Sequence, residues 1–415
     1  MNTLFHFEHK VQNPVDRQSA TKICMYLQGS ARNNTCIMRE ATALVEAGYS
    51  VFIVDIETDC SRSATEELHG IRLKHIMMPS WFIPTRFKPW FIVKLVQVFI
   101  LATLRLSSTP AEVYHAHDEI ALPACYIVAW LQHKKLIFEA HEMPLSTAVV
   151  KKWKKLHSIS QFILSHMMPL CAGVITVSPP LTQEIRACYG GPEISLVRNI
   201  PPLRVVPKKD LLRQYLRLRP NVRIALYQGN LQSDRGLDLL VHTAKFLEQN
   251  IVIVMMGESF EPTRSQLYTL IAKEKVAEQI RIIPPVPYEE LLDWTASADI
   301  GLTILPPDYS VSIRMCLPNK FFEYLMAGLP VLSSPLDAIS DIIRTYGVGQ
   351  IVSPLTPAAI GAAINTFIHD HNALAVMRDN ALNAAHNEFY WEKEKQQLIR
   401  LYRKVLMEQK ERALS

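Results

Sequence analysis

The feature that most constrains this chain is an alternation of short β-branched runs with amphipathic stretches, played out twice around a proline-rich break. Strands are expected near 22–27, 51–56, 71–76, 112–115, 135–138, 174–177 and 195–197, with helical patterns between them such as 37–47 and 179–188, the latter with Ser178 as N-cap. Strand then helix, repeated, specifies parallel βαβ units, because parallel neighbours need a long crossover and a helix supplies it. Pro201, Pro202 and Pro207, with Lys208, Lys209 and Asp210, interrupt the pattern as a polar, aperiodic bridge that reads as an interdomain linker. The alternation then restarts, with strands near 223–228, 251–255, 279–283, 299–305, 331–333 and 349–352. Helices are expected near 237–247, 288–297, 320–327, 357–368, 373–388 and 391–411. The expected fold class is therefore α/β, two Rossmann-like parallel-sheet domains facing a cleft. The carboxyl ends of parallel strands are where such sheets bind ligands.

Composition narrows the class. The 415 residues suffice for two or three cores, and 49% apolar with 20% charged residues sets aside disordered and collagen-like chains. Seven cysteines, scattered and without a Cys-x-x-Cys pair, favour neither a disulfide framework nor a zinc site, and a reducing cytoplasm is the expected compartment. The first 16 residues carry charges and lack the apolar core of a signal peptide.

The net charge of +5 is mild, but its distribution is uneven. Between Arg72 and Lys155 there are 12 basic residues against five acidic ones, a patch suited to anionic lipid, phosphate or nucleic acid. Trp90 to Leu104 is almost wholly apolar, and about 15 residues at 1.5 Å each give roughly 22 Å, short of a bilayer core of about 30 Å. Two readings stand: a helix lying in the headgroup region, anchored by Trp81, Phe82, Arg86, Phe87 and Lys88, or a buried helix of an α/β core. The run Lys151-Lys152-Trp153-Lys154-Lys155 before a second apolar helix favours peripheral contact with an anionic membrane through 81–105 and 151–170. No nucleic-acid motif accompanies the patch, so no nucleic-acid partner is expected.

Glycine is scarce, 14 of 415 residues or about half the usual share of roughly 7%, and the survivors mark the chemistry. Gly229 and Gly236 bracket the polar loop Gly229-Asn230-Leu231-Gln232-Ser233-Asp234-Arg235-Gly236 between a strand and a helix. This is either a plain turn or an anion loop in which Arg235 adds a charge shaped for phosphate. Leu317-Pro318-Asn319-Lys320-Phe321-Phe322-Glu323-Tyr324 opens a short helix that stops at Gly328. One turn in, the Glu323 carboxylate can accept hydrogen bonds from two vicinal hydroxyls, while Asn319 and Lys320 face a diphosphate. The alternative is a solvated helix glutamate.

These residues resemble the family 4 retaining glycosyltransferases of GT-B fold, one bacterial subgroup of which carries a Pro-Asn-Lys-x-Phe-Glu-Tyr-x-x-x-Gly-x-Pro-Val segment. The resemblance also takes in Val113-Tyr114-His115-Ala116-His117-Asp118, Phe138-Glu139-Ala140-His141-Glu142, Val197-Arg198-Asn199-Ile200-Pro201 and Ala298-Asp299-Ile300-Gly301-Leu302, and it runs from about Lys22 to Leu406. It implies an acceptor-side domain over 20–205, a nucleotide-sugar-binding domain over 206–388, and a C-terminal helix over 389–415 packing back toward the first domain. It further implies donor binding by Gly229, Asn230, Arg235, Asn319, Lys320 and Glu323, with catalytic roles for His141, Glu142 and Arg235. Arg32, His117 and Asp118 fall on the acceptor side.

The implied reaction moves a sugar from a nucleotide-diphosphate sugar to a lipid-linked or polysaccharide acceptor at the cytoplasmic membrane face, with retention. No cofactor is held tightly and no metal is required, since no Asp-x-Asp motif is used. The chain departs from the family pattern at Asn34-Thr35-Cys36-Ile37, at Asn230 in place of an arginine, at Met315 in place of a glutamate, and at Met255-Met256-Gly257-Glu258 in place of Gly-x-Gly. These departures leave open a second expectation, a nucleotide-sugar-binding scaffold subunit that has lost catalysis.

Overall fold

The computed structural model describes residues 20–78, 88–144, 154–232, 235–308 and 310–414, with the backbone alone for 88–91, 154–157 and 408–414. Two compact units divide the chain, Met1–Glu139 with Val405–Ser415, and Ala140–Lys404.

The strands are β1 Lys22–Tyr26, β2 Ser50–Glu57, β3 Thr65–Leu68, β4 Ile71–Met77, β5 Val113–His117, β6 Lys135–Ala140, β7 Gly173–Thr176, β8 Ile194–Leu196, β9 Arg223–Gln228, β10 Ile251–Met256, β11 Ile280–Ile283, β12 Ile300–Thr303, β13 Val331–Ser333 and β14 Gly349–Ile351. They form an eight-stranded sheet in the order β3-β4-β2-β1-β5-β6-β7-β8 and a six-stranded sheet in the order β11-β10-β9-β12-β13-β14. The pairings of β1 with β2 and β5, and of β9 with β10 and β12, are parallel, whereas β3 runs antiparallel to β4. The α/β expectation of two parallel-sheet domains holds, and each expected strand is present to within a few residues. The antiparallel β3 was not expected: Thr-Glu-Glu-Leu at a sheet edge carries neither a β-branched run nor a buried face.

Burial explains why the strands read so clearly. Residues of β10 are all buried and those of β9 nearly so, because helices cover both faces of a parallel sheet and leave no polar side for alternation. Ser178 caps the helix Pro179–Tyr189 as expected, its Oγ accepting from Leu181 N at 3.3 Å. Asp299, just before β12, accepts from Ile224 N at 2.8 Å and pairs with Arg223 at 3.1 Å and with buried Arg213, tying the helix Leu211–Leu216 to the start of β9. A buried carboxylate with three donors is satisfied; losing both cations would leave its charge uncompensated.

The proline-rich stretch 201–210 has neither helix nor strand, and hydrogen bonds tie its start and the residues just before it to the last helix, Trp391–Leu414. Arg198 N donates to Glu394 at 2.8 Å, Leu203 N to Glu392 at 3.1 Å, and Trp391 N to Pro201 O at 2.9 Å. Two glutamates in a helix's first turn thus serve its dipole and the polar backbone beside it together.

The helix Lys88–Ser107 is buried along one face, as the core reading of the apolar stretch expected, and exposes apolar residues along another. Val98, Ala102 and Leu106 are buried at i, i+4 and i+8, while Ile92, Val93, Val96, Ile100 and Leu104 are 49–63% exposed along another face. Among the described residues no helix is long and apolar enough to cross a membrane. Trp81, Phe82, Arg86 and Phe87, and Lys151 to Trp153, lie outside the described residues, and so do the side chains of Lys88, Lys154 and Lys155.

Candidate functional site

Within the second unit a cavity of about 480 Å³ opens at the carboxyl ends of β9 and β10 and the start of the helix Asn319–Met326. Its lining includes Gly229, Asn230, Arg235, Asn319, Lys320 and Glu323, so all six residues expected to bind the donor converge on one space. Apolar walls come from Met256, Val286, Leu291 and Leu305, and polar additions from Gln228 and Glu258.

Backbone shape makes room for this convergence. Gly257 follows β10 at φ +158°, and a Cβ there would stand 1.9 Å from the carbonyl oxygen of Gly229, so only glycine lets the two strand-end loops touch. Gly229 N donates to Met256 O at 3.0 Å and Leu231 N to Glu258 O at 2.7 Å, which locks the loops together.

Glu323 is 8% exposed and does not behave as a solvated helix residue. Buried Gln228 donates from Nε2 to Glu323 Oε2 at 2.5 Å, and its own Oε1 accepts from Thr295 Oγ1 at 2.7 Å. The Gln228 backbone N–H donates to the Tyr324 hydroxyl at 3.0 Å, which in turn donates to Leu226 O at 3.0 Å. Adjacent residues of one helix are therefore both fastened to the end of β9. Tyr324 is fully buried against Gly301 of β12, where an added Cβ would fall 2.5 Å from the ring. Sequence reasoning singled out Glu323 but missed Gln228 and Thr295.

Two cations serve the cavity. Lys320 places Nζ 3.6 Å from the ring centroid of Tyr227, a cation–π contact that holds the ammonium over an aromatic floor. Burial, and after it the positive charge of Arg235, push the Lys320 pKa down to about 7. A lysine that sheds its proton near neutrality without a partner regains it when an anion arrives. Cys316 sits in the same field, yet burial pushes its thiol up to about 11, against the pull of Arg235 and Lys320, so it stays protonated.

The other expected residues lie elsewhere. His141 is half-buried and Glu142 exposed in the segment after β6, outside the cavity lining. In that segment Met143 N donates to Ser312 Oγ at 2.9 Å, and the Glu142 charge reaches Cys316. In the first unit Arg32 is bound by Glu66, with Nε donating to Oε1 at 2.7 Å and Nη2 to Oε2. Glu66 also meets His75 Nε2 at 3.3 Å, and His75 Nδ1 lies 2.5 Å from Asp55 Oδ1. His117 ends β5 with 2% exposure, and Asp118 follows at φ +64° as the first residue of the helix Asp118–Leu131. None of the three lines the cavity.

Comparison with known proteins agrees with the two-part architecture. Residues 34–202 match the family described as Glycosyltransferase Family 4, and residues 208–384 match Glycosyl transferases group 1. A D-inositol 3-phosphate glycosyltransferase of Catenulispora acidiphila is 25% identical over 208 residues, 48% of this chain and 48% of that protein. The chain thus spans about half the length of this relative. Its counterpart in Pseudarthrobacter chlorophenolicus is 22% identical over 77% of both chains. Among solved structures, sucrose-phosphate synthase from Thermosynechococcus elongatus superposes with a TM-score of 0.76 at 16% identity, covering 93% of this chain and 99% of that one. Anabaena HepE in complex with UDP and glucose gives 0.70 at 14%, covering 92% and 98%. The chain thus resembles Glycosyltransferase Family 4 over 34–202 and glycosyl transferases group 1 over 208–384, on the two-sheet fold of the GT-B glycosyltransferases.

Proposed function

We propose that this protein is a glycosyltransferase that moves a sugar from a nucleotide-diphosphate sugar to a lipid-linked or polysaccharide acceptor, with retention at the anomeric carbon. The observation that carries the reading is the cavity in which Arg235, Lys320 and Asn319 converge with Glu323, a buried carboxylate held by Gln228. A carboxylate fixed in this way suits a vicinal diol such as a ribose, and two cations suit a diphosphate. When the glycosidic bond breaks, negative charge grows on the departing diphosphate, and cations already in place stabilise that charge without reorganising. In this reading His141 and Glu142 face the transferred sugar, and Arg32, His117 and Asp118 belong to the acceptor side. The domains run over 20–205, 206–388 and 389–415. Attack by the acceptor on the face the diphosphate leaves would give retention, with no metal needed for departure. HepE, with UDP and glucose bound, supports this choice of donor.

The exposed apolar face of the helix Lys88–Ser107, on a basic half of the chain, supports work at the inner face of a membrane, with the protein peripheral and cytoplasmic. Glu323→Gln and Arg235→Ala should each lower donor turnover by orders of magnitude; full activity in both variants refutes the site. Asn230, lining the cavity where the family resemblance implies an arginine, favours a second reading, a donor-binding scaffold subunit. Binding of nucleotide sugars without transfer or hydrolysis, tested with cell-derived lipid acceptors, would select it.

A further inference from the structure

The first unit holds a cluster that the donor cavity does not use. His115 and His117, at i and i+2 on β5, project from the same face of the sheet, and Glu139 on β6 stands opposite His117 in the parallel register. Glu40 reaches the same point from the helix Thr35–Glu46. All four side chains are buried, at 1, 0, 2 and 0% exposure for Glu40, His115, His117 and Glu139, and one ligand atom from each lies within 4.8 Å of the others. Glu139 Oε2 is 3.2 Å from His115 Nε2 and 3.4 Å from His117 Nδ1, and the two ring centroids are 4.2 Å apart with the planes tilted by 35°.

We propose that Glu40, His115, His117 and Glu139 form a structural binding site for a divalent transition metal, with Zn²⁺ the best match. Two arguments support it. Zinc bonds to nitrogen and oxygen of about 2.0–2.1 Å in a tetrahedron put neighbouring ligand atoms about 3.3–3.4 Å apart, close to the two spacings about Glu139 Oε2. Two buried carboxylates beside two buried imidazoles also gather oxygen and nitrogen donors at one point, a set that a divalent cation can share. Imidazole and carboxylate together select zinc over the all-oxygen preference of magnesium or calcium. Cysteine spacing pointed to no zinc site because none of these donors is a thiolate. Cys36 Sγ instead donates to Glu40 Oε1 at 3.4 Å, orienting a ligand from outside. The metal would pin the helix Thr35–Glu46 to the ends of β5 and β6, two residues ahead of His141 in the chain. It is separate from departure of the diphosphate.

The test uses the whole protein, stripped with a chelator and titrated with Zn²⁺ by calorimetry and with Co²⁺ by visible absorption. The expected result is one metal per chain, a tetrahedral Co²⁺ spectrum and a raised melting temperature, with binding abolished in His115→Ala and in Glu139→Gln. A folded wild-type protein that binds no stoichiometric metal would overturn the site. Variants that bind as the wild type does would overturn it too. If a variant fails to fold, the wild-type Co²⁺ spectrum decides: tetrahedral absorption with nitrogen ligands supports the site, and octahedral absorption refutes it.

Discussion

Replacing Gln228 by leucine removes one amide and leaves the surrounding shape nearly unchanged, so it isolates what that amide does. Nε2 supplies a 2.5 Å hydrogen bond to Glu323, whose side chain sits in a residue only 8% exposed. A hydrogen bond to a buried charged group is worth about 1.5–3 kcal/mol, and leaving the carboxylate without it incurs the desolvation of a charge. Taking about 2 kcal/mol as an upper bound for re-ordering the freed Glu323 on binding, affinity for a nucleoside diphosphate should fall by up to roughly thirtyfold. The melting temperature should fall as well, since the same bond is present before ligand arrives. Calorimetric titration with UDP and other nucleoside diphosphates, alongside thermal unfolding, measures both. Gln228→Glu sharpens the test: it sets two carboxylates together, so binding should recover as pH is lowered and one of the pair becomes a donor. Wild-type affinity and stability in Gln228→Leu would show that Glu323 is oriented by something else, and the account of the cavity would fail.

Other predictions follow from the same geometry. Lys320, with its pKa lowered to about 7 against an ordinary 10.5, is neutral in the folded protein and charged in the unfolded chain between those values. Its contribution therefore makes stability rise with pH across that window and lie flat below it, and Lys320→Met should remove this part of the slope. At pH 8 diphosphate binding should take up a proton at Lys320, seen as a dependence of binding heat on buffer ionisation enthalpy; no uptake would contradict the assignment. Gly301→Ala drives a methyl into the Tyr324 ring and should cost about 1–3 kcal/mol, lowering the melting temperature by several degrees. An unchanged melting temperature would show that the ring has room to move. Ile100→Glu with Leu104→Glu, both on the exposed face of the helix Lys88–Ser107, should reduce sedimentation with anionic vesicles and leave unfolding unaltered; undiminished sedimentation would remove that face from the membrane.

The two sheets were legible because buried parallel strands demand continuous apolar runs, and such runs stand out in a chain as they do at Ile251–Met256. What escaped had no such signature. The helix Thr263–Glu274 buries only Leu267 and Ile271, too narrow a stripe for its period to show. Asp118–Leu131 fell within the expected alternation but could not be bounded, being apolar nearly all round and containing Pro123, which reads as a break. At the cavity, Glu323 and Lys320 were singled out through a local motif, whereas Gln228 binds Glu323 from 95 positions away. A polar residue at a strand end reads as surface until the fold brings its partner to it. His117 shows the converse: its short motif was legible, but its burial against Glu139 depends on strand register.

The Tyr324 hydroxyl, joining the backbone of β9 to the helix that carries Lys320 and Glu323, has a thermodynamic consequence. Because the two elements are bolted together before anything binds, the cavity has little conformational freedom left to surrender when it fills. Association should then show a small entropic penalty, and Tyr324→Phe should weaken it mainly by making that penalty larger, with the binding contacts themselves intact.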